Sequence, residues 1–204
     1  DQPRSRGLGD VYKRQVLHSL IAEIYSMYAF NNQWQLRQRT EIVGEAPSAD
    51  MREWTANMFV EKVRTNVREA MADSVLLLNT SSRTYIPFVE LGETSEYYHH
   101  DMYHLLATRG IVALQQVAGL DRATPVEDIS EDSSAEKESS VKQDIIAIYG
   151  NMIAAYKASG LKEGYVLTAL SYLEWRRDSD RNIRPFGLKK GCLLYTSPSP
   201  RDRG

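Results

Sequence analysis

The chain has 204 residues, with 25 basic and 27 acidic side chains and one cysteine. Its 42% hydrophobic content is that of an ordinary soluble domain, and it lacks the apolar run of roughly 18 residues that a membrane-spanning helix needs. The nearly balanced charge argues against nucleic acid as the main partner, because that partner selects a basic surface, and one cysteine excludes an internal disulfide.

The two ends of the chain can be encoded by the opposite strands of one DNA segment. One back-translation of Ser5–Gln15 has a reverse complement that encodes Cys192–Arg201, so one duplex read from opposite strands can specify both. That DNA resembles a sequencing-library adapter. We therefore interpret residues 1–15 and 192–204 as adapter-derived tails, and we expect the remainder to be an internal fragment of a longer protein. The remainder carries 19 basic and 24 acidic side chains and no cysteine.

The first half of the remaining sequence predicts two helices joined by a loop. Apolar residues at helical spacing predict a helix over 16–39. The stripe expected to face the core consists of Leu17, Leu20, Ile21, Ile24, Tyr25 and Tyr28. Gly44–Ser48 has the composition of a loop. Asp50 and Glu53 have the spacing of a capping box, which predicts that the second helix begins there and runs to about Ala72.

An irregular segment and a third helix follow. Residues 80–93 contain Pro87 and Gly92 and predict a loop. Thr94 or Ser95 is a suitable N-cap for a helix that extends to about Ala118. Gly110 lies inside that helix, where it costs about 1 kcal/mol relative to alanine unless a close packing contact requires it.

The last part of the chain predicts a linker and a helical hairpin. Residues 119–140 are rich in serine and acidic residues and predict a solvated linker. Two helices, separated at Gly160, are predicted within 141–181 and form an antiparallel pair. The second helix is expected to turn inward the side chains of Tyr165, Val166, Ala169, Leu170, Leu173 and Trp175. Residues 182–191 are predicted to be a loop.

These elements together predict an all-α fold. It is expected to consist of antiparallel helical hairpins with tetratricopeptide-like packing and about five main helices. The helical domain spans 16–118, and the hairpin of 141–181 is expected to pack on it.

His100 and His104 are the candidate metal ligands. On the predicted third helix they stand four residues apart and share a face, so that His100–His104 resembles the zinc-protease pattern with aspartate in place of glutamate. A zinc site needs a third ligand, and Glu90, Glu93 and Glu96 have no diagnostic spacing. The alternative is a polar first turn in which the histidines face solvent and Asp101 interacts with the positive helix end.

No other catalytic motif is present in the sequence. There is no nucleophile elbow, phosphate-binding glycine loop or dinucleotide fingerprint. We therefore expect that the chain is not an enzyme, that it binds no cofactor and that it holds no metal.

Three stretches resemble a known family. Leu17–Tyr25 (LHSLIAEIY) is similar to an early helix of large bacterial alpha-2-macroglobulin-like proteins of the Bacteroides type. Asp50–Val67, with Trp54, resembles the next helix of that family, and DMYHLLATRGIVAL, which begins at Asp101, resembles a later one. The segment Tyr97–His100 departs from the family pattern.

The resemblance implies a helical region that precedes macroglobulin domains in a protease-trapping protein of the periplasm or cell envelope. Its partners would be the downstream domains of the same chain and, through them, a target protease. Two alternatives stay open: a free-standing helical adaptor that binds a peptide or protein, and a metal-dependent hydrolase that uses His100 and His104.

Overall fold

The structure, a computed structural model, describes residues 3–39, 48–83, 95–121 and 139–183. These residues form helices and connecting turns, with a single isolated β-bridge, which confirms the predicted all-α class. Five of the helices are long, as predicted, whereas tetratricopeptide-like packing stays a prediction. The helices of the described residues are α1 (Pro3–Asn31), α2 (Gln33–Gln38), α3 (Ala56–Ala70), α4 (Ser74–Leu78), α5 (Met102–Val117), α6 (Ser140–Ser159) and α7 (Lys162–Ile183).

The first helix is longer than predicted. It begins at Pro3 and crosses the predicted boundary at residue 15 without a break. Extending a formed helix adds one hydrogen bond for each residue fixed, so continuation costs little once a helix is nucleated. Gln15 is buried, so the end of the interpreted adapter segment is in contact with the folded part.

The face of α1 that points to the core differs from the prediction. The buried face is made of small or polar side chains: Gln15, Ser19, Ala22, Ser26 and Ala29. Small side chains allow α3 and α5 to approach α1 closely. The prediction that Leu17, Leu20 and Ile24 face the core is wrong, because all three are exposed. Tyr25 and Tyr28 do pack against the core, as predicted.

Two predicted helix starts are wrong for the same reason: the second helix does not begin at Asp50, and the third begins after Asp101 rather than at Thr94 or Ser95. Asp50 caps a single 3-10 turn, Met51–Glu53, and the chain is extended again at Trp54. The true N-cap of α3 is Thr55, whose side chain accepts a hydrogen bond from the amide of Met58. In each case a plausible capping residue lies a few residues before the one that begins the long helix.

An aromatic cluster forms the centre of the core between α1 and α3. Phe59 is completely buried. Its ring centroid lies 5.3 Å from Tyr28, 5.3 Å from Trp54 and 6.5 Å from Tyr25. Such ring pairs contribute about 0.5–1.5 kcal/mol beyond the area that they bury. Trp54 is itself buried and so belongs to this core.

Helix α5 crosses α3 at Gly110. A Cβ atom at this position would lie 2.9 Å from Cγ1 of Val67, which is itself buried. The close packing contact that explains a glycine inside a helix is therefore present.

Helices α6 and α7 pack against each other after a short turn. Gly160 has a left-handed φ of 75° and its amide donates to the carbonyl of Tyr156, which confirms the predicted glycine stop. Asp121, predicted as part of the solvated linker, instead accepts a hydrogen bond from the amide of Val141 at 2.9 Å and so satisfies the start of α6. Residues 122–138 lie outside the described part.

Most of the predicted inward stripe of α7 is wrong, although Trp175 does pack against the core as predicted. Tyr165, Val166, Leu170 and Leu173 are exposed, whereas Gly164 and Thr168 are buried. The inner face is completed by Tyr172 and Trp175, which contact Tyr149 of α6 with ring centroids 5.5 and 6.1 Å away. A helix with apolar residues on two faces does not show by spacing alone which face is buried.

Ion pairs connect the hairpin to the helical domain. The carboxylate of Asp144 in α6 lies 2.6 Å from Nε of Arg64 and 3.1 Å from Nη2 of Arg68, both in α3. Within the helical domain, Arg109 of α5 pairs with Glu23 of α1.

Across the described residues, no helix is both long and apolar enough to cross a membrane.

Candidate functional site

The predicted third helix does not include His100. Helix α5 begins at Met102 with Asp101 as its N-cap, rather than at Thr94 or Ser95. His100 lies in the preceding segment, and its carbonyl accepts a hydrogen bond from the amide of Ser82 at 2.9 Å. The prediction that His100 and His104 share a helix face is therefore wrong.

Asp101 holds His104 through two kinds of contact. One carboxylate oxygen accepts a hydrogen bond from the amide of His104 at 2.8 Å, which caps the helix. Both carboxylate oxygens also lie within 2.9 Å of Nδ1 of His104. The predicted interaction of Asp101 with the helix N-terminus is confirmed, but His104 does not face solvent, since only 4% of its surface is exposed.

The imidazoles of His99 and His104, rather than those of His100 and His104, lie close together, and both rings contact Tyr156 of α6. The His99 ring is parallel to that of Tyr156, with centroids 4.9 Å apart. The His104 ring lies 4.3 Å from Tyr156 and 5.3 Å from His99. We call His99, Asp101, His104, Tyr156 and the adjoining Ser159 the histidine–tyrosine cluster.

Tyr156 is unsuited to act as a base. Its side chain is completely buried, and burial raises the pKa of its phenol to about 12, although the amide of His99 donates to the hydroxyl at 3.4 Å. The phenol therefore stays neutral near pH 7.

Ser159 is not arranged as an activated nucleophile. Its hydroxyl donates to the carbonyl of Tyr156 at 3.1 Å and lies 2.6 Å from Nε2 of His99. A hydroxyl has one proton, so while it is donated to the carbonyl, Nε2 of His99 must be the donor to Ser159. In that arrangement His99 cannot remove the hydroxyl proton.

The described residues do not bring together three groups that could hold a metal ion. Glu96 lies in a 3-10 turn, Ser95–Tyr97, and is exposed. Glu90 and Glu93 lie outside the described residues. Nε2 of His104 is buried and has no hydrogen-bond partner among the described residues, which marks it as the least satisfied atom of the cluster.

Helix α7 packs against the cluster at Gly164. A Cβ atom there would lie 2.5 Å from Cε1 of Tyr156 and 2.8 Å from the carbonyl oxygen of Tyr97. Sequence reasoning alone does not find the roles of His99 and Gly164. No local pattern indicates them, because His99 and Tyr156 are 57 residues apart and meet only through helix packing.

Stability is expected to fall on acidification because of His99. Burial, and then the neighbouring His104, lower the pKa of His99 below its usual 6.5, against an opposing effect of Asp101. The folded state thus binds this proton less readily than the unfolded state. Its contribution is fully present above pH 6.5 and is lost as the pH falls through that value towards the lower pKa of the folded state.

Urea midpoints measured at about pH 7.5 and about pH 5.5 check this expectation. The wild type should lose more stability on acidification than His99→Phe, which keeps an aromatic ring against Tyr156 but cannot titrate. Equal losses in the two proteins would assign the pH dependence to other groups.

Comparison of the chain with protein-family models, with curated proteins and with solved structures gives no match.

Proposed function

We propose that this chain is a non-catalytic helical scaffold from an alpha-2-macroglobulin-like, protease-trapping protein of the bacterial envelope. The family assignment rests on the three similar stretches, among them Leu17–Tyr25 and the helix that follows Asp101. The scaffold role rests on one observation, the apolar outer face of α7. In this proposal the downstream domains of the same chain cover that face.

The outer face of α7 is a continuous stripe of large apolar side chains. Val166, Leu170 and Leu173 are 50%, 50% and 60% exposed. Val166 also lines an open groove of about 420 Å³, together with Tyr97, Lys162, Glu163 and Leu167. Contiguous exposed apolar surface of this kind is typical of a contact site rather than of a free surface. In stacked helical hairpins, each unit buries the apolar face of the unit before it.

The histidine–tyrosine cluster supports a structural rather than a catalytic role. Its phenol is neutral, its serine hydroxyl is donated to a backbone carbonyl and the Nδ1 side of His104 is occupied by the capping carboxylate. These groups connect the start of α5 to the end of α6. The cluster thus fixes the hairpin of α6 and α7 to the helical domain, which orients the outer face of α7.

Extending the reading frame of residues 16–191 in the source DNA tests the family assignment. We expect β-sandwich domains of macroglobulin type downstream. A downstream sequence that encodes a different class of domain, or none, would refute the assignment.

The chain itself is expected to be inactive in enzymatic assays. It should neither cleave casein nor inhibit a protease, and it should not bind zinc with submicromolar affinity, because two imidazoles without a third ligand make a weak site. Calorimetric titration of zinc into the wild type and into His99→Ala/His104→Ala tests this. Tight binding that the double variant loses, together with zinc-dependent casein cleavage, would favour the hydrolase alternative.

A further inference from the structure

The two ends of α6 are attached to the helical domain in different ways. At the start of α6, Val141 and Ile145 are completely buried. The amide of Val141 donates to Asp121 at 2.9 Å, and Asp144 lies 2.6 Å from Nε of Arg64. Apolar burial and charge-assisted hydrogen bonds therefore hold this end of the hairpin on the helical domain.

The other end of α6 is attached through the histidine–tyrosine cluster. We call residues 156–164, which include Tyr156 and the turn to α7, the turn end of the hairpin. The Tyr156 ring covers one face of the half-buried His99 ring and also lies against His104. Nε2 of His104 is buried without a hydrogen-bond partner among the described residues. A buried polar atom that gains no partner weakens the contact that buries it, so we expect this end to open more easily.

We propose that mild acid opens the turn end of the hairpin through His99, while the start of α6 stays attached. Opening moves Tyr156 and Ser159 away from His99, so that water reaches the imidazole and stabilises its charged form. At neutral pH the burial of Tyr156 keeps the contact closed. The proposal goes beyond the scaffold role, and it holds whatever covers the outer face of α7.

The closed arrangement opposes a positive charge on His99. Nε2 of His99 already donates to Ser159, so an added proton is carried on Nδ1 of a ring that Tyr156 covers on one face. The ring of His104 lies 5.3 Å away. Burial, and then His104, accordingly lower the pKa of His99 below 6.5, although Asp101 has the opposite effect.

The groups around His99 offer little compensation for that charge. The titratable groups that face it among the described residues are His100 and Asp101 of its own segment, His104 of α5 and Tyr156 of α6. Both oxygens of Asp101 already lie within 2.9 Å of Nδ1 of His104. Helix α7 contributes Gly164, and the flanking Lys162 and Glu163 line the groove at Tyr97. The paired segment of Ser81 and Ser82 carries no charge.

Proton linkage sets the direction and the limit of the effect. His99 has its usual pKa of 6.5 when the contact is open and a lower pKa when it is closed. The stability of the closed contact that depends on His99 is therefore present above pH 6.5 and is lost as the pH falls below that value. Between about pH 7.5 and about pH 5.5, one histidine can raise the opening equilibrium constant by at most about tenfold.

Amide hydrogen exchange of the full chain at about pH 7.5 and about pH 5.5 tests the proposal. The rates are followed by mass spectrometry and corrected for the intrinsic effect of pH, and a chelator keeps metal ions from the imidazoles. We expect the protection of residues 153–166 to fall by severalfold on acidification, up to the limit of about tenfold. Protection in residues 141–148 and in α3 should change by less than about twofold.

Variants at His99 assign the response to one group. His99→Phe keeps an aromatic ring against Tyr156, and His99→Gln keeps a hydrogen-bond donor near Ser159, but neither side chain titrates. In both variants, the extra loss of protection in residues 153–166 should disappear. His18→Phe is the matched control: His18 lies on α1, where it contacts Asn66 at 2.8 Å, and its replacement should leave the response unchanged. Circular dichroism shows whether each variant is folded.

Three results would overturn the proposal. The first is a wild type in which residues 153–166 lose no protection in acid. The second is an equal loss in all three regions, which would mean that acid acts on the whole fold. The third is a response that a folded His99 variant retains or that the His18 variant lacks, because either outcome assigns the response to another group.

Discussion

Phe59→Ala is expected to lower the free energy of unfolding by about 3–5 kcal/mol, one of the two largest effects that we predict. Phe59 is completely buried and its ring contacts Tyr28, Trp54 and Tyr25. The substitution removes an aromatic side chain and leaves a cavity between α1 and α3 that stiff neighbouring rings cannot readily fill. Urea unfolding followed by circular dichroism measures the loss.

Phe30→Ala is the matched control for this prediction. It makes the same chemical change on α1, but Phe30 is 53% exposed and is not part of the buried cluster. It should cost less than about 1 kcal/mol, as most surface changes do. Equal midpoint shifts in the two variants would contradict the assignment of Phe59 to the core.

Gly164→Ala is expected to lower the free energy of unfolding, because it destabilises the contact between α7 and the histidine–tyrosine cluster. The new methyl group would overlap Tyr156 and the carbonyl oxygen of Tyr97. A backbone atom cannot move aside as a flexible side chain can. Overpacking of this kind costs about 1–3 kcal/mol and exceeds the gain of about 1 kcal/mol from replacing glycine in a helix.

Gly150→Ala isolates the helix-propensity effect. Gly150 lies in α6, and a Cβ atom there would meet nothing within 4 Å. This variant should therefore be as stable as the wild type or up to about 1 kcal/mol more stable. We expect the urea midpoints of the two alanine variants to move in opposite directions. A stabilised Gly164→Ala protein would show that α7 does not close on Tyr156 as described.

The sequence predicts the local features of this fold better than its packing. Gly160 ends a helix with a positive φ, and Gly110 leaves room for the side chain of Val67. Each requirement selects a glycine, which can be recognised in the sequence. By contrast, both α1 and α7 carry apolar residues on two faces. The small residues of their buried faces, such as Ala22 and Gly164, have little hydrophobic signal, so the exposed leucines dominate the predicted stripes.

The candidate site shows the same limit. Asp101 is predicted at a helix N-terminus because a carboxylate is favourable there, and it caps α5. The predicted pairing of His100 with His104 is wrong because the helix begins too late to include His100. His99 contacts Tyr156 and Ser159 only because α6 returns to the start of α5, and that tertiary contact has no local pattern.

We propose above that α7 presents its outer face to the rest of a longer chain. With Cys192 replaced by serine, thiol labelling of Leu170→Cys measures this directly, because Leu170 is half exposed in the described structure. Val75→Cys on α4 provides the reference rate. In a chain extended through its downstream domains, the Leu170→Cys thiol should react at least roughly tenfold more slowly than in the present chain, whereas the Val75→Cys rate stays the same. Equal Leu170→Cys rates in the two chains would contradict the scaffold role.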